Sequence, residues 1–264
     1  MFRYLEECDR ALVLGIGGGG DIFATIPTRN FLRRIGVEAY IGCVAWERFI
    51  LDPKPGPRPL EELVNIQELS ETVCIGGPDT ITEDGVKLQA SYLSERLGEK
   101  VVLVDITKGV KKTAIGLDEA LSKLGVNLLI GVDGGGDILA RGIEKNLMSP
   151  LCDSVMLASL HYMKNRNLIG VFAAGCDGEL SFEEILSYLS EIASIGGYMG
   201  AYGMTEEDVE MLERLVDGMV SEVSKIALSS FRGFKGSINI REGLYKVETS
   251  IISTITFYLD TEKT

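Results

Sequence analysis

Two runs of glycine, each ending in an aspartate, are the residues of this chain whose type and spacing most suggest chemistry. One run precedes Asp21 and the other precedes Asp137, and each comes just after a short apolar segment. Because glycine loses more conformational freedom on folding than any other residue, such runs indicate that bare main chain is needed there, most often against a ligand. We therefore predict a ligand or phosphate site formed by Gly17, Gly18, Gly19, Gly20, Asp21, Gly134, Gly135, Gly136 and Asp137.

The position of these runs after strand-like segments favours a phosphate-bearing ligand. A helix that begins at the end of a strand points unpaired N–H groups and roughly half a positive charge at whatever lies there, which stabilises an anion. An aspartate beside a bound phosphate is unfavourable unless a cation lies between them or the aspartate contacts a hydroxyl group instead. The alternative for Asp21 and Asp137 is a structural one, in which both cap helices or lie in their first turn.

Further acidic residues follow other predicted strands and suggest a metal ion. Asp133 and Asp177 join Asp137 as candidate ligands of Mg²⁺, because this ion prefers oxygen ligands and commonly bridges to substrate phosphates. Asp133 and Asp177 are also the predicted catalytic residues, together with Lys108, which would balance phosphate charge. Each acid taken alone has the alternative of a turn or cap residue, and Lys108 that of a solvated loop. His161, the single histidine, is expected to be packed in an apolar helix, so carboxylates would carry any acid–base chemistry.

The first glycine run also fits the dinucleotide-binding pattern G-x-G-x-x-G through Gly15, Gly17 and Gly20. Glu38 follows at about the interval of a ribose-binding acid, but it precedes its predicted strand when it should end it. The second run has Asp133 where the pattern needs its middle glycine. Neither run is followed by lysine with serine or threonine, so the pattern G-x-x-x-x-G-K-[ST] of a nucleotide-binding P-loop is absent.

Strand-like and helix-like segments alternate along the chain and predict how these residues are positioned. Predicted strands cover 11–15, 37–45, 72–76, 100–106, 127–132, 168–175, 237–241 and 248–259. Predicted helices cover 22–35, 85–97, 115–124, 137–146, about 153–164 with Asp153 as its cap, 182–194, and one long helix from 205 to about 226. This alternation predicts an α/β protein: a Rossmann-like three-layer fold with a mainly parallel sheet and antiparallel edge strands at the C-terminus. We expect a single domain over 1–264, with 195–240 as a candidate helical flap.

Composition and charge restrict the partners. The 264 residues carry a net charge of −13 and are 45% hydrophobic, which indicates a globular protein and opposes binding to nucleic acid or anionic lipid. No stretch reaches the roughly 20 apolar residues of a membrane span, and Arg3 and its charged neighbours interrupt any apolar leader. Five scattered cysteines without a C-x-x-C pair fit free thiols in a reducing compartment. We expect a cytoplasmic protein, no nucleic-acid or membrane partner, and a homodimer on base rates alone.

Several segments resemble an uncharacterised archaeal family known as a domain of unknown function, DUF1152. They are the two glycine–aspartate runs, residues 149–153, residues 175–179, and the Thr-Phe-Tyr-Leu-Asp segment that ends at Asp260. The similarity covers nearly the whole chain. It implies a cytoplasmic archaeal protein with a Rossmann-like fold, and it brings with it no established activity and no functional residues.

These observations lead to three functional hypotheses. The first is a small-molecule enzyme that binds a phosphorylated substrate or nucleotide through both glycine runs and uses Mg²⁺ for phosphoryl or nucleotidyl transfer or hydrolysis. The second is a dinucleotide- or S-adenosylmethionine-dependent enzyme that uses the first run alone. The third is a protein that senses a nucleotide or metabolite without transforming it.

Overall fold

A sheet of nine strands runs through the computed structural model, which describes residues 5–264. Arg3, which entered the argument against an apolar leader, lies outside the described residues. Within the described part of the chain, no helix is both long and apolar enough to cross a membrane.

Strands and α-helices alternate over much of the chain, as the sequence predicts, but strands follow one another without an α-helix over 63–82 and 236–260. The strands are β1 Arg10–Gly15, β2 Glu38–Val44, β3 Leu63–Val64, β4 Gln67–Glu68, β5 Val73–Gly76, β6 Ile81–Thr82, β7 Val101–Val104, β8 Leu128–Gly134, β9 Asn167–Phe172, β10 Tyr198–Gly203, β11 Gly236–Ile240, β12 Tyr245–Thr249 and β13 Ile255–Asp260. The α-helices are α1 Ile26–Arg34, α2 Gln89–Leu97, α3 Val110–Leu124, α4 Leu151–Tyr162, α5 Phe182–Ser194, α6 Glu206–Val216 and α7 Glu222–Phe231.

The nine strands lie in the order β10-β13-β9-β8-β1-β2-β7-β5-β4. The five central strands, from β9 to β7, are parallel, whereas β13 and β10 at one edge and β5 and β4 at the other are antiparallel. The predicted fold class is therefore confirmed. The sequence predicts antiparallel strands at the C-terminal edge only. The structure has a second pair, β5 and β4, at the opposite edge, and this pair comes from the first half of the chain.

The centre of the sheet is the point where the direction of chain connection reverses. From β1 the chain proceeds to β2 on one side, and from β8 it proceeds to β9 on the other side. In open α/β sheets, the loops that leave two such neighbouring strands diverge and leave a crevice at the carboxyl ends of the strands, where ligands bind. Gly15 pairs in register with Val132, so the two glycine runs leave the sheet side by side at this crevice.

Helices cover both faces of the sheet, as the fully apolar parallel strands require. Val13 of β1 faces a core that includes residues of α1, α2, α6 and α7. Leu12, the preceding residue, faces a second core that includes residues of α3, α4 and α5. Because neighbouring residues of a strand point to opposite faces, these two cores are separate layers, and the protein has three layers in all.

The helices that were predicted directly after the glycine runs differ from those observed. The first run enters a single 3₁₀ turn, Gly19–Ile22, and α1 begins later, at Ile26. The predicted helix over 137–146 is wrong, because only the 3₁₀ turn Asp137–Leu139 forms and the backbone is extended at Ala140. Gly142 then adopts a φ of 81°, which an α-helix cannot contain.

Three further boundaries in the C-terminal half also differ. The predicted long helix is two helices, α6 and α7, because the chain leaves helical geometry at Asp217 and turns at Gly218, where φ is 70°. The predicted strand over 248–259 is interrupted by the 3₁₀ turn Ile251–Thr254 between β12 and β13. The predicted flap segment 195–240 contains β10, which is an edge strand of the main sheet, in addition to both helices.

Candidate functional site

A cavity of about 540 Å³ opens at the carboxyl ends of β1 and β8, and both glycine runs line it. The walls include residues 17–21 of the first run, and Asp133, Gly134 and Asp137 of the second. The remaining walls come from residues 46–49, 148–152, Asp177, 220–223, Ile240 and Arg241. The two runs therefore border one shared cavity at the crevice of the sheet.

Three aspartates converge on one point at this cavity. Asp21 follows β1, Asp133 lies near the end of β8, and Asp153 lies in the first turn of α4. One carboxylate oxygen of each lies within 4.8 Å of the other two, a spacing at which all three could ligate one metal ion. Asp133 and Asp153 are buried, and Asp21 is partly exposed to the cavity. We call these three residues the triad.

The Asp21 carboxylate joins the two glycine runs. Its Oδ2 atom accepts hydrogen bonds from the main-chain N–H of Gly17 at 2.8 Å and from that of Gly134 at 3.3 Å. Neither Asp21 nor Asp137 caps a helix through its side chain, although each lies in the first turn of a short 3₁₀ helix. The expectation that these aspartates cap helices is therefore wrong for both residues. The expectation that they lie in the first turn of a helix is confirmed, although each helix is a short 3₁₀ turn.

Gly17 leaves bare the space between the three triad carboxylates. A Cβ atom on Gly17 would lie 2.5 Å from Asp21 Oδ2, 3.0 Å from Asp153 Oδ1 and 3.3 Å from Asp133 Oδ1. The 2.5 Å separation is shorter than any real Cβ contact, so only glycine fits without displacing a carboxylate. The absence of this one methyl group keeps the centre of the triad open.

Other glycines of the two runs also make room for carboxylates of the protein. A Cβ on Gly19 would meet the Glu47 carboxylate at 2.6 Å, and one on Gly135 would meet Asp177 Cγ at 2.3 Å. Much of the bare main chain thus faces side chains of the protein. Direct contact with a ligand, which the sequence suggested as the reason for the glycine runs, therefore explains only part of their glycine content.

A second pair of acids, Asp137 and Asp177, adjoins the triad. Asp137 and Asp177 line the same cavity as Asp133, and the three carboxyl groups lie close enough to influence one another's ionisation. Asp177 Oδ1 accepts the N–H of Glu179 at 3.1 Å, whereas Asp177 Oδ2 is buried without a hydrogen-bond partner. Asp153 Oδ1, in the triad, is likewise buried and unpartnered. Buried polar atoms in proteins almost always have partners, and no group of the described protein satisfies these two oxygens, which leaves them available to a ligand.

Burial raises the pKa of every carboxyl group in this cluster, because an ionised carboxylate loses its hydration there. The pKa of Asp21 rises to about 7 and that of Asp177 to about 6. The pKa values of Asp133, Asp137 and Asp153 lie well above the usual range, mainly because of burial and further because of the neighbouring carboxylates. A bound cation would stabilise the ionised forms and remove the cause of the shift.

Glu179 fixes the segment that carries Asp153 into the site. Its carboxylate accepts the main-chain N–H groups of Met148 and Ser149, each at 2.8 Å, and the Ser149 hydroxyl. Burial opposes its ionisation, but these hydrogen bonds outweigh burial and hold the pKa of Glu179 below its usual value. Arg241 donates to the same carboxylate at 2.9 Å.

Two arginines, Arg48 and Arg241, supply positive charge to the cavity wall. Arg48 pairs with Glu222 at 2.8 Å, and 44% of its side chain is exposed. Arg241 pairs with Glu179 and is held in a left-handed backbone conformation with a φ of 49°. A left-handed conformation is uncommon for a residue other than glycine and stores backbone strain, which concentrates at functional sites.

Most of the predicted site residues line the described cavity, whereas Gly135, Gly136 and Lys108 do not. Lys108 follows β7 and forms an ion pair with Glu61, and it is not among the residues that line the described cavity. Conversely, the sequence predicted Asp153 only as a helix cap. It caps nothing, because Pro150 occupies the N-cap position of α4, and its carboxylate belongs to the triad instead.

Comparison with protein families identifies what the chain is related to. The family model described as "Protein of unknown function (DUF1152)" matches residues 12–264. The chain belongs to this family. Comparisons with the curated proteins and with the solved structures find no match. The glycine runs, the triad and the Asp137–Asp177 pair all fall within the residues that the DUF1152 model matches.

Proposed function

We propose that this DUF1152 protein is a divalent-cation-dependent enzyme that acts on a phosphorylated small molecule or nucleotide in the cavity between β1 and β8. The observation that carries the proposal is the triad, three carboxylates on three different elements whose oxygens lie within 4.8 Å of one another. Three enclosed carboxylates at this distance repel each other unless a cation lies among them. Their oxygen ligands suit Mg²⁺, with Mn²⁺ as a close substitute.

The cation would bring an anionic substrate into a site that otherwise repels it. Mg²⁺ usually keeps part of its coordination shell for water and substrate phosphate oxygens, so one face of the ion would remain open to the cavity. Arg48 and Arg241 at the wall would bind further phosphate oxygens, taking the charge-balancing role that the sequence suggested for Lys108. The reaction would be phosphoryl or nucleotidyl transfer or hydrolysis, in which the ion stabilises charge that develops on the phosphate.

Asp137 and Asp177 are the candidates for handling protons in this reaction. Both line the cavity beside the triad, and the pKa of Asp177 is raised by burial to about 6. A carboxylate with a pKa near neutrality accepts a proton from an attacking water or hydroxyl more effectively than an ordinary aspartate. His161 cannot share this role, because it is exposed on α4 and does not line the cavity.

The dinucleotide alternative has less support from the geometry. Glu38 is the first residue of β2 and pairs with Arg10, the first residue of β1, at the opposite end of the strands from the cavity. Glu47 lies beyond the correct end of β2, but its oxygens already accept hydrogen bonds from the main chain and side chain of Gln89. Direct contact of a pyrophosphate with the first glycine run would also place it against the Asp21 carboxylate.

The proposal is tested by phosphate release and ³¹P NMR on a panel of nucleotides and sugar phosphates, with and without Mg²⁺ or Mn²⁺. We expect turnover of at least one compound that requires the cation and falls at least about 100-fold in Asp133→Asn. The matched control is Asp105→Asn, since Asp105 is also a buried acid at the end of a parallel strand but hydrogen-bonds the main chain of Leu60 and Thr107 outside the cavity.

Other outcomes of the same panel identify the alternatives. Binding of a nucleotide without turnover, unchanged in Asp133→Asn and Asp177→Asn, would support a sensor. Stabilisation by NAD(H) or S-adenosylmethionine, independent of divalent cations, would support the dinucleotide hypothesis. Either result would contradict the proposed enzyme.

A further inference from the structure

We propose that the cavity binds a second divalent cation, held by Asp137 and Asp177 next to the ion of the triad. This inference rests on the proposed function, because it assigns the second ion to the same site. It changes that function in one respect, because Asp137 and Asp177 become ligands of the second ion instead of proton acceptors. It also differs in what it predicts, since one ion would suffice for the triad alone.

The first argument is charge. Four aspartates line the cavity, Asp21, Asp133, Asp137 and Asp177, and the triad adds Asp153 as a fifth. When all five are ionised, a single divalent cation leaves about three uncompensated negative charges, to which a phosphate would add at least one more. A second divalent cation leaves about one uncompensated negative charge among the five aspartates.

The second argument is the unpartnered oxygen. Asp177 Oδ2 is buried without a hydrogen-bond partner although Asp177 lines the cavity and only 6% of the residue is exposed. The N–H of Glu179 orients this carboxylate through its other oxygen, which leaves Oδ2 fixed and available. Gly135 supports the arrangement, because any Cβ there would overlap the Asp177 carboxyl group.

The third argument is connection between the two sets of ligands. Asp133 of the triad lines the same cavity as Asp137 and Asp177, and its Oδ2 atom accepts the main-chain N–H of Ile138, the residue after Asp137, at 3.2 Å. Asp133 is therefore placed to bridge the two ion positions. In enzymes of phosphate chemistry, two ions about 3.5–4 Å apart stabilise the attacking and the leaving oxygen of one displacement.

The test is a titration of the full-length protein with Mn²⁺, followed by calorimetry and by electron paramagnetic resonance. We expect two ions per chain and a spectrum with spin coupling between neighbouring ions. Asp177→Asn should bind one ion and lose the coupling, whereas the control Asp105→Asn should keep both. A melting curve of each variant verifies that it is folded, and the wild-type spectrum decides the question even where a variant is not.

The outcomes separate this inference from the proposed function. A single uncoupled ion in the wild type, lost in Asp153→Asn but kept in Asp177→Asn, would overturn the second ion and leave the proposed function intact. Two ions without coupling would place them apart and overturn the shared site. Absence of Mn²⁺ binding would overturn both proposals together.

Discussion

The aspartates of the triad carry an energetic penalty that a bound cation would remove. Asp153 is 2% exposed, and its Oδ1 atom has no hydrogen-bond partner among the described protein groups. Burial raises its pKa well above the unfolded value, so folding at neutral pH must either take up a proton or bury a charge. Groups that weaken a fold persist where they serve binding or catalysis, which is the pattern expected of a cation ligand.

This penalty makes a prediction for Asp153→Asn, which keeps the shape of the side chain but removes its charge. The metal-free variant should be more stable than the wild type at pH 8, since each unit of raised pKa corresponds to about 1.4 kcal/mol. The melting temperature should rise by at least about 3 °C at pH 8 and change little at pH 4.5, near the unfolded pKa. A fall in melting temperature at pH 8 would mean that the Asp153 charge is already compensated inside the protein.

Gly17 gives a second prediction at the same scale. In Gly17→Ala the new methyl group would lie between the triad carboxylates, 2.5 Å from Asp21 Oδ2. The affinity for Mn²⁺, measured by calorimetry, should fall at least about tenfold, a change of about 1.4 kcal/mol. The control is Gly77→Ala, because nothing lies within 4 Å of a Cβ at Gly77 and its φ is not left-handed. Equal affinities of the two variants would show that the ion binds elsewhere.

Individual residue roles were only partly readable from the sequence. The glycine–aspartate runs led to Asp21 and Asp137, and the ends of predicted strands led to Asp133 and Asp177, because the carboxyl ends of parallel strands meet at one edge. Asp153 escaped notice, because a first-turn acid at the start of a helix resembles a cap and nothing local reveals where the helix points. His161 was expected to be packed, but it lies near the end of α4 and is exposed.

At the scale of elements, the start of α4 is held in place by a carboxylate from a distant loop. Glu179 binds the N–H groups of Met148 and Ser149 just before α4, and Asp153 lies in the first turn of that helix. The strand-to-helix loop after β9 thus positions a ligand of the triad. The interaction joins two segments that both border the cavity.

Glu179→Gln should therefore affect both stability and binding. The substitution replaces one acceptor oxygen with an NH₂ group that faces donors, and leaving such groups unsatisfied costs about 1–3 kcal/mol. We expect a melting temperature several degrees lower and a weaker affinity for Mn²⁺, measured by thermal denaturation and calorimetry. Glu183→Gln, at an exposed position of α5, is the control and should alter neither. Undiminished Mn²⁺ affinity in a destabilised Glu179→Gln would contradict the positioning role.

Elements with strong local signals were predicted well, and those that depend on tertiary context were not. The helix 182–194 was predicted from its capping box, and α5 begins with the reciprocal Ser181–Glu184 hydrogen bonds. The strand β10 was missed because Tyr-Met-Gly-Ala-Tyr-Gly contains two glycines and is stabilised by pairing with β13. The helix over 137–146 was predicted from its place directly after the second glycine run, and it does not form because Gly142 adopts a left-handed conformation.

At the scale of the whole molecule, the carboxylate cluster should govern how stability depends on pH. Glu47, Asp21 and Asp177 have pKa values raised by burial to about 7, about 7 and about 6. A raised carboxyl pKa means that the folded state binds more protons than the unfolded state, so its stabilising contribution is present at low pH. That contribution is lost as the pH rises from about 4 through 6 to 7.

The metal-free protein should therefore unfold at a lower temperature at pH 8 than at pH 5. Saturating Mg²⁺ or Mn²⁺ should reverse the order, because the ion binds the ionised carboxylates, and a ligand at 100 times its Kd adds about 2.7 kcal/mol. A group whose pKa is lowered on folding, such as Glu179, loses its stabilising contribution only as the pH falls below the pKa that it has in the unfolded state. Such groups therefore do not reverse the trend between pH 5 and pH 8. Melting curves from pH 5 to 8 test the prediction. A metal-free protein that is most stable at pH 8 would contradict it.

The cation at the triad is the claim on which the proposed enzyme and its pH behaviour depend. The most direct measurement is anomalous diffraction at the manganese edge from crystals grown with Mn²⁺. We predict a peak bonded to carboxylate oxygens of Asp21, Asp133 and Asp153, in the space that Gly17 leaves open. An ordered cavity with no peak there, or manganese bound only at the outer surface, would contradict the account.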